Sequence, residues 1–136
     1  MRVCVWLLVC ALLPCLGETP QSETVRGKLK NQDGGAPALE TAGHQTIRLE
    51  GDQATTGVIR DQRLDGAEIE AKGRFIAPDK FLIDPIHTKA ILVHRDGHLK
   101  LVTYWCDVCS IRTYTPGPCW CCRRETTLDL RDADEK

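Results

Sequence analysis

The chain has 136 residues, eight cysteines and a formal charge of −1, with 18 lysines and arginines against 19 aspartates and glutamates. That length is one small domain. The near-neutral balance excludes a broad electrostatic footprint for nucleic acid or an anionic membrane.

The first seventeen residues, MRVCVWLLVCALLPCLG, read as a secretory signal. Arg2 supplies the positive start, Val3 to Leu13 an apolar run too short to span a bilayer, and Pro14 a helix break. Cys15 and Gly17 place small residues at −3 and −1 of a cut before Glu18. Lipidation at Cys15 is the second reading, disfavoured by Pro14 just before it. Cleavage removes Cys4, Cys10, Cys15 and Arg2, moves the charge to −2 and leaves about 119 residues for a secreted or periplasmic protein. Residues 18–23 read as a flexible leader.

From residue 24 onward, short period-2 segments alternate with Gly, Pro and Asp turns. TVRGKLK puts Val25, Gly27 and Leu29 on one face, and NQDGGAPA reads as a loop. HQTIRLEG turns Ile47 and Leu49 inward. TTGVIRDQRLDG carries Val58, Ile59 and Leu64, with room for a helical turn over Arg60 to Leu64 and a tight turn at Asp65-Gly66. AEIEAKGRF aligns Ala67, Ile69, Ala71 and Gly73. The apolar stretch from Phe81 to Trp105 is interrupted by Pro85, expected at a strand edge, and by Asp96-Gly97. RRETTLDL alternates again, and residues 132–136 are expected to be a disordered tail. No segment beyond the export signal carries a convincing 3.6-residue apolar stripe. The pattern predicts an all-β domain over 24–131: a small OB-like barrel of about five to seven strands with a cysteine-rich C-terminal hairpin. Its core is expected to include Ile47, Leu49, Ile69, Phe75, Ile83 and Leu92.

Two stretches carry a resemblance. LDGAEIEAKGRFIAPDKFLIDPIHT resembles the middle of OB-fold-like barrels, and Thr24 to Trp105 can be laid on that pattern. The tail, YWCDVCSI followed by PGPCWCC, resembles small secreted bacterial proteins of uncharacterised function that join such a barrel to a cysteine-rich end. The resemblance implies a fold and a compartment but no activity, since OB-fold relatives serve many ligands. The partner it leaves open is a protein or a small ligand.

Five cysteines lie within residues 106–122. Cys106-Asp-Val-Cys109 and Cys119-Trp-Cys-Cys122 are two C-x-x-C steps, separated by a segment with Pro116-Gly117, which suits a type II turn. Flanking strands would fold the two steps together into a four-thiolate set of Cys106, Cys109, Cys119 and Cys122, suited to tetrahedral Zn²⁺. Cu⁺ is the second metal for such soft ligands. Cys121 is the fifth thiol, a substitute ligand at most. It points away from Cys122 if the chain there is extended. Three features depart from a zinc ribbon: Ser110 and Arg123 follow the second cysteine of each step where glycine is common, the gap is short, and Cys121 is extra. Disulfides are the main competitor in an exported domain, and a redox dithiol is the third reading.

His87, His94 and His98 precede the cluster and read as surface histidines, with His94 and His98 facing each other across a turn. His44 has no identifiable partner. Tyr104, Trp105, Tyr114 and Trp120 are expected to cover a small satellite core. No Ser-His-Asp order, H-E-x-x-H or phosphate-binding glycine loop occurs. A thiol oxidoreductase is therefore the one enzymatic alternative to a non-catalytic metal-binding or disulfide-stabilised module.

Overall fold

The computed structural model describes residues 21–31 and 35–134. The segment read as an export signal, with Cys15 and the cut expected before Glu18, lies outside the described residues, as do 32–34 of the glycine-rich loop and the last two residues of the chain.

The elements in chain order are β1 (Glu23–Lys30), β2 (Ala38–Glu40), β3 (Thr46–Glu50), α1 (Gln53–Ile59), a 3-10 turn (Gln62–Leu64), β4 (Glu68–Ala77), β5 (Lys80–Ile83), α2 (His87–Ala90), β6 (Ile91–Arg95), β7 (His98–Cys106), β8 (Ile111–Thr113) and β9 (Thr127–Asp132). Strand β1 pairs antiparallel with β2, and β2 with β3. Strand β3 runs parallel to β5, β5 antiparallel to β4, and β4 returns antiparallel to β1. Five strands therefore close on themselves in the order β1-β2-β3-β5-β4, with α1 bridging β3 and β4. This is the OB-like all-β barrel expected from the alternation. Closure leaves none of these strands with a free edge along the barrel wall.

The barrel interior follows the period of two. Leu29, Leu39, Ile47, Leu49, Ile69, Ala71, Phe81 and Ile83 are all buried, and the residues between them on β3 and β4 face outward. Strand β4 holds the architecture together. One of its edges serves β1 over Glu68–Gly73, while the other serves β6 over Glu68–Ala71 and then β5 from Gly73 onward. The change of partner occurs at Gly73, where a Cβ would stand 2.0 Å from the Leu82 carbonyl oxygen. Only glycine allows that approach.

Two expected core residues differ. Phe75 is on the inward phase of β4 but is 39 % exposed, because β4 runs past the barrel rim into a bulge between Phe75 and Ala77. Its ring meets Phe81 edge-on, with centroids 5.1 Å apart. Leu92 is half-buried and pairs with Glu70, while Ile91 and Val93 on either side of it are buried. The phase assigned to β6 is off by one residue.

Helix α1 was not expected. Asp52 caps it, its side chain accepting from the Thr55 amide at 2.8 Å, and Thr55, Val58 and Ile59 are its buried face. The helical turn allowed over 60–64 is the 3-10 turn. Asp65-Gly66 then reverses the chain, with φ of +75° at Gly66 and the Ala67 amide donating to the Leu64 carbonyl at 3.0 Å.

Beyond the barrel the sheet continues through β6 and β7. A two-residue turn at Asp96-Gly97, both at positive φ, joins them, as a type I′ hairpin requires. Strand β7 carries β9 along one edge over 100–105, and β6 followed by β8 along the other. Strands β7 and β9 are the arms of the C-terminal hairpin. β9 runs to Asp132, bonded by Lys100 Nζ at 2.6 Å, and the Ala133 amide donates to the Leu99 carbonyl. β9 thus includes Asp132, the first residue of the segment read as a tail.

Candidate metal centre

Cys106 ends β7, and the long connection from there to β9 contains the other four downstream cysteines. It does not fold back at Pro116-Gly117, as the spacing predicts. The chain reverses at each C-x-x-C step instead. Around the first, Cys106 at the end of β7 pairs with Ile111 at the start of β8. Around the second, the Cys119 amide donates to the Arg124 carbonyl at 2.7 Å and the Arg123 amide to the Cys119 carbonyl at 2.9 Å, with Pro118 bridged to Glu125. Each first cysteine thus pairs with the residue five positions on, giving two knuckles of the same build.

The likeness extends to backbone angles. Ser110 and Arg123, the residues where glycine was missed, have φ of +53° and +63°. Both knuckles therefore adopt the left-handed step for which glycine is favoured, using a serine and an arginine. Gly117, at φ of +128°, lies in the segment joining the knuckles. Its carbonyl accepts from the buried Thr126 hydroxyl at 2.8 Å.

The knuckles bring four sulfurs together. The Sγ atoms of Cys106, Cys109, Cys119 and Cys122 all lie within 4.8 Å of one another. The Cys106 and Cys122 sulfurs are 3.5 Å apart, and all five cysteines are free. Four sulfurs about 2.3 Å from a tetrahedral centre stand about 3.8 Å apart, so the observed spacing is compatible with a metal cage. A disulfide needs about 2.05 Å. Cys106 and Cys119 are buried, Cys109 and Cys122 half-buried, and Cys121 is exposed and outside the set.

Amide donors give the two first cysteines matching surroundings. The Cys119 sulfur accepts from the backbone of Cys122 and Cys121, which lowers its pKa to about 7. The Cys106 sulfur accepts likewise from the backbone of Cys109 and Val108, but burial and the thiols of Cys122 and Cys119 leave its pKa raised. The Cys109 pKa is pushed up by the Cys121 and Cys122 thiols. The surroundings thus favour the thiolate at Cys119 and the protonated thiol at Cys106 and Cys109. A divalent cation bound by the four sulfurs would displace the thiol protons.

The surrounding side chains fasten this end to the barrel. Arg63 clasps Asp61 with contacts of 2.8 to 3.1 Å, lies 5.0 Å over the Tyr104 ring and donates to the Thr126 carbonyl at 2.7 Å. Arg112 on β8 reaches across β7, donating to the Thr103 hydroxyl at 2.7 Å and pairing with Asp129 on β9, with Trp105 beneath it. His87 bonds the Tyr114 carbonyl at 2.8 Å, and so belongs to the support of the inter-knuckle segment. His94 pairs with Glu70 and lies opposite Leu99, and His98 lies opposite Arg95. The two histidines therefore do not face each other. No histidine joins the cluster. The expected aromatic satellite core is absent among the described residues: Tyr104 is buried in the main core, whereas Tyr114 is exposed and Trp120 is 69 % exposed.

Comparison with protein-family models, with curated proteins and with solved structures finds no match to this chain. The closed barrel and the cysteine cluster stand on the geometry alone.

Proposed function

We propose that the protein is an exported OB-type module whose C-terminal end binds one Zn²⁺ through Cys106, Cys109, Cys119 and Cys122, in a structural or metal-handling role. The observation that carries this reading is the mutual 4.8 Å limit on four sulfurs drawn from two matched knuckles. A closed set of four thiolates is the ligand pattern of structural zinc, and Cu⁺ is the competing soft metal. Export and the kinship with secreted bacterial proteins rest on the N-terminal pattern and on the CDVC…PGPCWCC tail.

Metal analysis of reduced protein tests the reading. One equivalent of tightly held zinc is expected in the wild type and in Cys121→Ser, with loss of the metal in Cys106→Ser and Cys119→Ser. Loading with Zn²⁺ and Cu⁺ in competition decides the metal. Equal loss from Cys121→Ser would show that the ligand set is wrong. Metal-free reduced protein, with a Cys106–Cys122 bond after air oxidation, would establish the disulfide-stabilised module instead.

A further inference from the structure

Strand β9 closes one side of the sheet. Among the described residues it pairs with β7 alone, so its other edge presents a row of backbone groups over Thr127–Asp132 with no strand beside them. Which groups face outward follows from the ladder. The Ala133 amide donates to the Leu99 carbonyl at 3.1 Å. Bonded positions alternate along an antiparallel pair, so Thr127, Asp129 and Arg131 turn their N–H and C=O groups to β7. Leu128, Leu130 and Asp132 turn theirs away from it. The side chains alternate as well. Leu128 and Leu130 pack against the core, and Asp129 and Arg131 project from the opposite face.

We infer that β9 is the interface of a two-fold dimer, in which the β9 strands of two copies pair antiparallel about Leu130. Backbone direction requires the axis to fall on a residue rather than between two, since only then do outward groups meet outward groups. Charge then selects the residue. An axis at Asp129 opposes two aspartates, and one at Arg131 opposes two arginines. An axis at Leu130 sets Asp129 of each copy against Arg131 of the other. These are non-bonded pairs, whose Cα atoms stand only about 4.5 Å apart, and both side chains lie on the same face. Asp129 already pairs with Arg112, so it comes to lie between two guanidinium groups. The same axis sets Leu128 against Asp132 and Leu130 against Leu130. Every outward N–H and C=O of the three positions is then satisfied, in about six backbone bonds. Asp132 brings its charge already matched by Lys100 Nζ at 2.6 Å, and Leu130 meets its own copy on the core side of the sheet. The pairing consumes the edge it uses, so it stops at two copies. A ladder of six-residue strands is a small interface, and a dissociation constant on the order of 10–100 µM is expected. The inference needs β9 on β7 and draws nothing from the metal reading.

The test uses the full chain, reduced and with zinc present. Sedimentation equilibrium across concentrations that bracket this constant measures the association, and amide exchange at single-residue resolution locates it. The amides of Leu128, Leu130 and Asp132 should gain protection as concentration rises. Those of Asp129 and Arg131, bonded to β7, should be protected throughout. Arg131→Asp and Asp129→Arg should each raise the dissociation constant about tenfold. An equimolar mixture of the two variants should return to the wild-type constant, because it again opposes acids to bases in both pairs. Where Asp129→Arg does not fold, for want of the Arg112 partner, Arg131→Asp and the exchange pattern decide. A chain that stays monomeric overturns the inference. So does a dimer whose three outward amides remain unprotected, or a mixture as weak as either variant alone. A monomer in which those amides are already protected would mean that another part of the chain covers the edge, and overturns it too. Zinc content enters none of these outcomes, so the dimer and the metal reading fail separately.

Discussion

The barrel and the cysteine-rich end are held by opposite means. The barrel buries Leu29, Leu39, Ile47, Leu49, Ile69, Phe81 and Ile83 in one continuous cluster that also takes in Val58, Ile59 and Leu64 from the helical segment. The stretch from Asp107 to Glu125 buries one side chain, Cys119, and exposes Val108, Tyr114 and Trp120. Apolar burial stabilises the first region by about 1.5–3 kcal/mol per large side chain. The second has almost nothing to bury, so its fold depends on thiols, backbone bonds and a few arginine contacts. On the proposed metal reading, a bound ion would supply the order that apolar burial does not.

Metal removal should separate the two regions most sharply. Zinc in a four-thiolate site contributes on the order of 10 kcal/mol to the structure that holds it. Chelation under reducing conditions, or Cys119→Ser, should abolish hydrogen-exchange protection of the amides of Cys119 and Arg123 while those of β1 and β4 keep theirs. Loss of protection in both regions together would mean that the barrel cannot stand without the knuckles.

The converse change is in the core. Leu49→Ala or Ile69→Ala removes a side chain at 3 % or 0 % exposure and should lower global stability by about 2–5 kcal/mol. Zinc stoichiometry in the folded fraction should not change. Denaturant unfolding read by tryptophan and by metal release gives both quantities in one experiment, and a drop in stoichiometry would show coupling between the regions.

The Arg63–Asp61 brace joins them, and its effect should be smaller. The Asp61 side chain is 6 % exposed. Burial pushes its pKa up, but the bonds from the Arg63 side chain and amide outweigh this and hold it below the ordinary value. Its contribution is therefore full above the unfolded pKa of about 3.9 and is lost as pH falls through the lower folded value. Tyr104 sits beside it, its pKa raised by burial and then by the Asp61 charge. Asp61→Asn should cost about 2 kcal/mol at pH 7, and the gap from wild type should close in acid below pH ~4. A gap that is independent of pH would mean that packing, not charge, carries the brace.

The same contrast governs what could be read in advance. The barrel strands are legible because burial on one face imposes a period of two, visible in TIRLE and AEIEAKG without any structure. Helix α1 is not, because Thr55, Thr56, Gly57, Val58 and Ile59 are poor helix formers. Tertiary burial of Thr55, Val58 and Ile59 and the Asp52 cap make it, and that cap three residues before Thr55 was the available signal. Phe75 misleads because the alternation continues past the point where the barrel ends. In the cysteine-rich end, the C-x-x-C spacing picks out the four sulfurs that lie together. The folding of the connection stayed hidden, since Pro116-Gly117 is a stronger turn signal than either knuckle. The absence of glycine at 110 and 123 also argued against a backbone that is nevertheless there.

Those two positions offer the smallest and most local prediction. Ser110 and Arg123 are exposed and left-handed, a conformation that costs an L-residue about 1–2 kcal/mol. Glycine removes that strain but returns part of the gain through the greater freedom of the unfolded chain. Ser110→Gly and Arg123→Gly should therefore each stabilise the loaded knuckles by about 0.5 kcal/mol, read as roughly twofold tighter zinc in a chelator competition. Ser110→Val moves the other way, because a β-branched side chain tolerates positive φ least, and should weaken zinc about tenfold, or 1.4 kcal/mol. Gly66, also at positive φ but on the barrel side with nothing within 4 Å of its added Cβ, is the control. Gly66→Ala should lower barrel stability by about 1 kcal/mol and leave zinc affinity unchanged. If Gly66→Ala shifted the affinity, or Ser110→Val did not, the knuckles would not be the separately held unit that their lack of an apolar core implies.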